Sequence, residues 1–95
     1  MDSMEQEFES RAIVRHNLLL FTGLDAITVI KRCEELNKKI YGIDAFRLKE
    51  QCIQPVMEES IDYSNTPDSD GNWADAVQFI KTRLNENLVF EIVYD

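Results

Sequence analysis

LVFEIVY, residues 88–94, is apolar on both of its alternating faces apart from Glu91. A strand of this kind lies in the middle of a sheet or beneath helices, because both faces must be shielded from water. The rest of the chain is therefore expected to supply neighbouring strands and covering helices.

Helical spacing precedes this strand in three places. Apolar residues recur every three or four positions over residues 24–40, namely Leu24, Ile27, Ile30, Cys33, Leu36 and Ile40. Asn72 resembles a helix N-cap and is followed by the stripe Trp73, Val77, Ile80 and Leu84. A further helix is predicted over residues 3–17, from the spacing of Met4, Phe8, Ala12 and Ile13.

The remaining segments favour strands. IYGIDAFRL, residues 40–48, is rich in β-branched and aromatic residues, and residues 60–64 alternate as a half-exposed strand does. Residues 51–55 form a short extended piece ended by Pro55, and the apolar run at 18–21 is ambiguous. These patterns predict an α+β fold, a small sheet of about three to four strands with two or three helices packed mainly on one face. Residues 1–95 form a single domain, in which residues 1–17 are a separate N-terminal helix or are partly disordered.

Charge excludes several function classes. Ten Lys and Arg against 18 Asp and Glu give a net charge of −8, whereas nucleic-acid binding needs a basic surface. The N-terminus lacks the basic start and apolar run of a secretory signal, and the longest apolar stretch, residues 18–21, is far short of a membrane span. We therefore expect a cytoplasmic protein that binds neither nucleic acid nor membrane.

No pattern points to a metal, a cofactor or a catalytic residue. Cys33 and Cys52 are too far apart for a metal or redox motif, and the acidic turn around Gly71 fits a calcium loop in neither register. The glycines stand alone, which excludes a phosphate-cradling loop. His16, with Asp44 and Glu91, leaves a small hydrolase as an alternative.

The most informative segment lies between Lys49 and Lys81. It contains no Lys or Arg and seven of the 18 acidic residues. This interval is either a solvated surface that aids solubility or a docking surface that attracts a basic protein. Aromatic residues within it could anchor such a contact. The candidate partner-binding residues are Glu58, Glu59, Asp62, Tyr63, Asp68, Asp70, Trp73 and Asp75.

Asp44 and Glu91 are anomalous because each interrupts an otherwise apolar strand. An ionised carboxylate buried without a partner costs several kcal/mol. They either lie on a strip that faces solvent or a partner, or have shifted pKa values. If both face outward beside residues 58–62, the acidic surface is contiguous.

The layout IYGIDAFRL…IQPVMEESIDYS…W-x-x-A-x-x-FI…LVFEIVY, over roughly residues 40–95, resembles that of bacterial immunity proteins. These small cytoplasmic antitoxins accompany polymorphic or contact-dependent toxins. The resemblance implies a protein that binds a toxin domain, often a basic nuclease, and blocks its active site or a neighbouring surface. Contact residues in such proteins vary too much to be transferred position by position. A homo-oligomer, with residues 88–94 pairing edge to edge with a second copy, is the main alternative.

Overall fold

The computed structural model describes residues 3–15, 18–48, 53–63 and 71–94. These ranges contain the helices α1 (Ser3–Phe8), α2 (Gly23–Glu35) and α3 (Trp73–Lys81). They also contain the strands β1 (Ile13–Arg15), β2 (Leu18–Thr22), β3 (Ile40–Leu48), β4 (Ile53–Pro55), β5 (Ile61–Asp62) and β6 (Val89–Tyr94). The α+β class is confirmed.

The strands form an antiparallel sheet in the order β1-β2-β6-β3-β4, and β5 also pairs with β3. The middle position predicted for residues 88–94 is confirmed, because β6 lies between β2 and β3. The described pairs between β2 and β6 cover only Val89 and Phe90 of β6, so the edge-to-edge pairing expected for a homo-oligomer stays a prediction.

The predicted sheet of three to four strands is wrong, because the described residues form six strands. The helix predicted over residues 3–17 ends at Phe8, and residues 13–15 pair as β1 with the ambiguous apolar run that forms β2. Ile13 lies opposite Leu20 there. Met4, Phe8 and Ala12 are four residues apart, as in a helix. After Ala12, however, the pairing of residues 13–15 with residues 18–22 favours strands over a continued helix.

The main core lies between one face of the sheet and the helices. Ala26, Val29, Ile30 and Cys33 of α2 are buried against it, together with Ile80 of α3 and Phe90 of β6. The helix predicted over 24–40 is shorter than expected, since it ends at Glu35 and Ile40 begins β3. Leu24 and Leu36, at its two ends, are exposed instead of buried.

A second, smaller cluster fills part of the opposite face of the sheet, which we call the second face. Leu20, Phe46 and Val89 are buried there, and Ile13, Leu18 and Ile53 from the outer strands pack against them. Apolar residues on both faces explain why residues 88–94 carry no regular alternation of polar and apolar positions. Within the described ranges, no helix is both long enough and apolar enough to cross a membrane.

Candidate functional site

Two carboxylates face each other across the central pair of strands. Asp44 of β3 is the direct partner of Glu91 of β6. Phe46 and Val89, paired two residues further along the same strands, belong to the second cluster, so Asp44 and Glu91 also lie on the second face. Burial, then the charge of Asp44 and a hydrogen bond with it, raise the pKa of Glu91. Like charges directly opposite one another destabilise a sheet.

A third carboxylate lies beside this pair. Asp62 of β5 is opposite Gly42, two residues before Asp44, and therefore points to the same face. The backbone approaches closely here, since a Cβ on Gly42 would be 3.1 Å from the Ile61 carbonyl oxygen. A surface hollow of about 580 Å³ results, which we call the acidic hollow; its lining is Tyr41, Gly42, Asp44, Ser60, Ile61, Asp62 and Val93.

Side-chain hydrogen bonds hold the wall of the acidic hollow. The Ser60 hydroxyl accepts a hydrogen bond from the Ala45 N–H at 3.1 Å and donates one to the Val56 carbonyl at 3.2 Å. It thereby ties the turn before β5 to β3. The Tyr41 ring is partly exposed and has the Lys39 ammonium 5.6 Å from its centre. The acidic hollow therefore combines fixed backbone, two carboxylates and an aromatic ring that already lies near a cation.

Two basic residues of the described chain, Arg32 and Arg83, pair with other acids. Arg32 forms ion pairs with Glu7 and Glu35, both at 3.2 Å. Arg83 pairs with Glu59 and lies 3.9 Å from the centre of the Phe79 ring. Among the described residues, no Lys or Arg forms an ion pair with Asp44 or Glu91. The carboxylate pair is thus left without a counter-ion by the chain's own described residues.

The predicted acidic residues are spread over several environments. Glu58 is exposed on the short turn before β5, and Asp75 is exposed in the first turn of α3, where a negative charge suits the helix dipole. Glu59 is part-buried and neutralised by Arg83, a residue that lies just beyond the interval without Lys or Arg. Of the predicted acidic residues that the structure describes, only Asp62 lines the acidic hollow. Asp68 and Asp70 lie outside the described residues, as do His16 and Cys52.

The two predicted aromatic anchors stabilise the fold. Tyr63 is 5% exposed, and its backbone N–H donates to the Tyr41 carbonyl at 2.7 Å. Burial is the main reason that the pKa of Tyr63 is raised. Trp73 is half-buried and donates its indole N–H to the Lys38 carbonyl at 2.8 Å. Both rings border the main core, so a partner reaches little of Tyr63 in this conformation.

The structure brings together residues that the list of candidates omitted. Tyr41, Asp44 and Ser60 line the acidic hollow, and Glu91 lies directly opposite Asp44. Period-two alternation already set Asp44 on the same side of its strand as Gly42. The pairing of Gly42 with Asp62, however, depends on the register between β3 and β5. This register cannot be predicted from the local sequence of either strand.

Chemically, the site offers carboxylate acceptors and one carboxyl group with a raised pKa. Among the described residues, no group of three or more His, Cys, Asp or Glu side chains is arranged to hold a metal ion. No protein-family model matches the sequence, and no curated protein is significantly similar to it. Function is therefore inferred from the chemistry of the site itself.

Proposed function

We propose that this chain is a non-catalytic binding protein that docks and neutralises a basic protein partner through the acidic hollow. The observation that carries the proposal is the opposition of Asp44 and Glu91 without a counter-ion from the described residues. Such a pair weakens the sheet, and a cation supplied by a partner would remove the repulsion. Electrostatic strain within the free protein thus favours the bound state.

The lining of the acidic hollow suits a basic side chain. Asp44 and Asp62 can accept hydrogen bonds from a Lys ammonium or an Arg guanidinium. The exposed Tyr41 ring can also contact the cation of the partner. In the free protein, the Lys39 ammonium already lies near this ring. Because Tyr41 and Asp44 both lie on β3, their backbone is already in strand conformation before binding, which lowers the cost of ordering.

The net charge of −8 extends this attraction beyond the contact itself. An acidic surface steers a basic protein during diffusional encounter, and salt weakens the effect. Glu58 and Asp75, both exposed, add to the field around the second half of the chain. This combination is what an inhibitor of a basic enzyme requires, in agreement with the immunity-protein resemblance, and we propose a toxin domain as the partner.

The test is affinity capture from a lysate of the native host, washed first at low and then at high salt. The proposal expects a basic protein bound in equal molar amount and released by high salt. Expressed alone in a heterologous host, the captured protein should arrest growth, and co-expression of this chain should restore growth. A captured protein that is acidic, or that resists high salt, would contradict electrostatic docking. A basic partner without toxicity would leave the docking intact and contradict the immunity role.

A further inference from the structure

A second concave surface lies at the opposite end of β3 from the acidic hollow. It is a groove of about 620 Å³ where β2 leads into α2, which we call the leucine groove. Its lining includes Leu24, Leu48, Leu84 and Leu88, together with the polar residues Thr22, Arg47 and Asn87. The groove therefore combines several leucine side chains with polar residues, one of which is cationic.

Three leucines around the groove are open to solvent. Leu24 is 71% exposed, and Leu48 and Leu84 are each 41% exposed. Leu84 packs so closely on Gly23 that a Cβ at position 23 would overlap its side chain. Clustered exposed leucines on a small protein mark an interaction surface, since burying each side chain contributes roughly 1.5–3 kcal/mol.

The surface carries both a projection and a recess. Leu24, in the first turn of α2, is itself part of the groove lining and is its most exposed leucine, so its side chain can reach into the groove of a second copy. A two-fold axis suits this arrangement, because the same patch then supplies both the inserted side chain and the recess that receives it. We propose that this chain forms a symmetric homodimer in which Leu24 of each copy inserts into the leucine groove of the other.

Charge complementarity supports a second copy as the occupant. Asp25 follows Leu24, and its carboxylate accepts a hydrogen bond from the Thr22 hydroxyl at 3.5 Å. Arg47 is exposed at the groove rim, where its guanidinium donates to the Glu86 carbonyl at 3.4 Å. Insertion of Leu24 carries Asp25 towards Arg47 of the other copy, and the two-fold axis repeats the pair. The acidic hollow, at the start of β3, stays open in this dimer.

Sedimentation velocity of the purified protein from about 1 to 500 µM tests the proposal. The wild type should change from monomer to dimer over this range, and Leu24→Ser should weaken dimerisation at least tenfold. Leu36→Ser is the matched control, because Leu36 is 39% exposed at the other end of α2, and it should dimerise as the wild type does. A monomeric wild type, or equal dimerisation of the two serine variants, would overturn the proposal.

Exchanging the charges of Asp25 and Arg47 tests the two-fold arrangement independently of the Leu24 variant. Asp25→Arg and Arg47→Asp should each weaken the dimer, and the double variant should recover most of the lost affinity. Failure of the double variant to dimerise better than either single variant would overturn the two-fold arrangement. These measurements use the pure protein without a basic partner, so their outcome is separate from that of the proposed docking function.

Discussion

Asp44 of β3 and Glu91 of β6 lie directly opposite each other on the second face, and a hydrogen bond between their carboxyl groups helps to raise the pKa of Glu91. Central strand pairs normally oppose apolar or oppositely charged side chains. Two acids in this position reduce stability in the free protein. They are consistent with a surface whose chemistry is completed by a cation from a partner.

Replacing one acid of the pair should stabilise the protein. Glu91→Gln removes a part-buried charge and its repulsion with Asp44, while the amide can still donate a hydrogen bond to that carboxylate. We expect the free energy of unfolding at pH 7 to rise by about 0.5–1 kcal/mol in urea denaturation. Glu34→Gln, an exposed change of equal charge on α2, should alter it by less than about 0.5 kcal/mol. A loss of stability in Glu91→Gln would contradict the assignment of repulsion.

The same pair predicts a pH dependence. Because the pKa of Glu91 is raised above its ordinary value of 4.5, the folded state holds the proton to higher pH than the unfolded state does. The contribution of Glu91 to the free energy of unfolding should therefore fall as the pH rises from about 4.5 through the raised pKa. Denaturation of wild type and Glu91→Gln between pH 4 and 8 should show their difference growing with pH. A difference that shrinks with rising pH would contradict this sign.

Replacing Arg83 should lower the free energy of unfolding more than replacing Arg32. Arg83→Gln leaves Glu59 part-buried without its ion pair and removes the stacking on Phe79, so we expect a loss of about 1–3 kcal/mol. Arg32→Gln breaks two exposed pairs and should lose less than about 1 kcal/mol. Urea denaturation of the two variants makes the comparison. Equal losses would mean that the Arg83 contact contributes no more than a surface pair.

Gly71 should not tolerate a side chain. A Cβ at this position would overlap the Trp73 ring, whose N–H donates to the Lys38 carbonyl. Gly71→Ala should lower the free energy of unfolding by about 1–3 kcal/mol. Displacement of the indole should also shift the emission of Trp73, which is the only tryptophan. Unchanged emission together with unchanged stability would show that the ring is not held in this position.

The second cluster should contribute a measurable part of the stability. Leu20 is fully buried there in one cluster with Phe46 and Val89, so Leu20→Ala should lower the free energy of unfolding by about 2–5 kcal/mol. Leu36→Ala, an exposed truncation of the same size, should lose less than about 1 kcal/mol. A loss in Leu20→Ala no larger than in Leu36→Ala would contradict packing on the second face.

The elements that the sequence predicted best have a strong local pattern. The middle position of residues 88–94 follows from their two apolar faces. Spacings of three and four correctly predict a helix at α2, but of the predicted stripe only Ile30 and Cys33 are buried in it, and Ala26 and Val29 complete the buried face. The hairpin of β1 and β2 was missed because Ile13 continues a helical spacing, while its partner Leu20 lies in a run too short to classify. Pairing of two weak segments then outweighs the local preference of either one.

The candidate site was predictable only in part. Asp62 was identified from the interval without Lys or Arg, and Asp44 and Glu91 were noticed as acids in apolar strands. Their meeting on one face depends on the registers of β3 with β5 and β6, which are non-local. Tyr63 and Trp73 were grouped with the acids because of their position in the chain, whereas burial and backbone hydrogen bonds place them at the core.

Capture by charge-matched variants tests whether a basic partner docks at the acidic hollow. One bait replaces the three second-face carboxylates, as Asp44→Asn, Asp62→Asn and Glu91→Gln. A control bait replaces three exposed glutamates outside the acidic hollow, as Glu9→Gln, Glu34→Gln and Glu86→Gln. Both baits have the same net charge, so they differ only in where charge is lost. The account predicts that wild type and control capture the same basic protein from native lysate at low salt, and that the second-face variant captures at least tenfold less. Equal capture by the two variants, or no basic protein bound to the wild type, would contradict it.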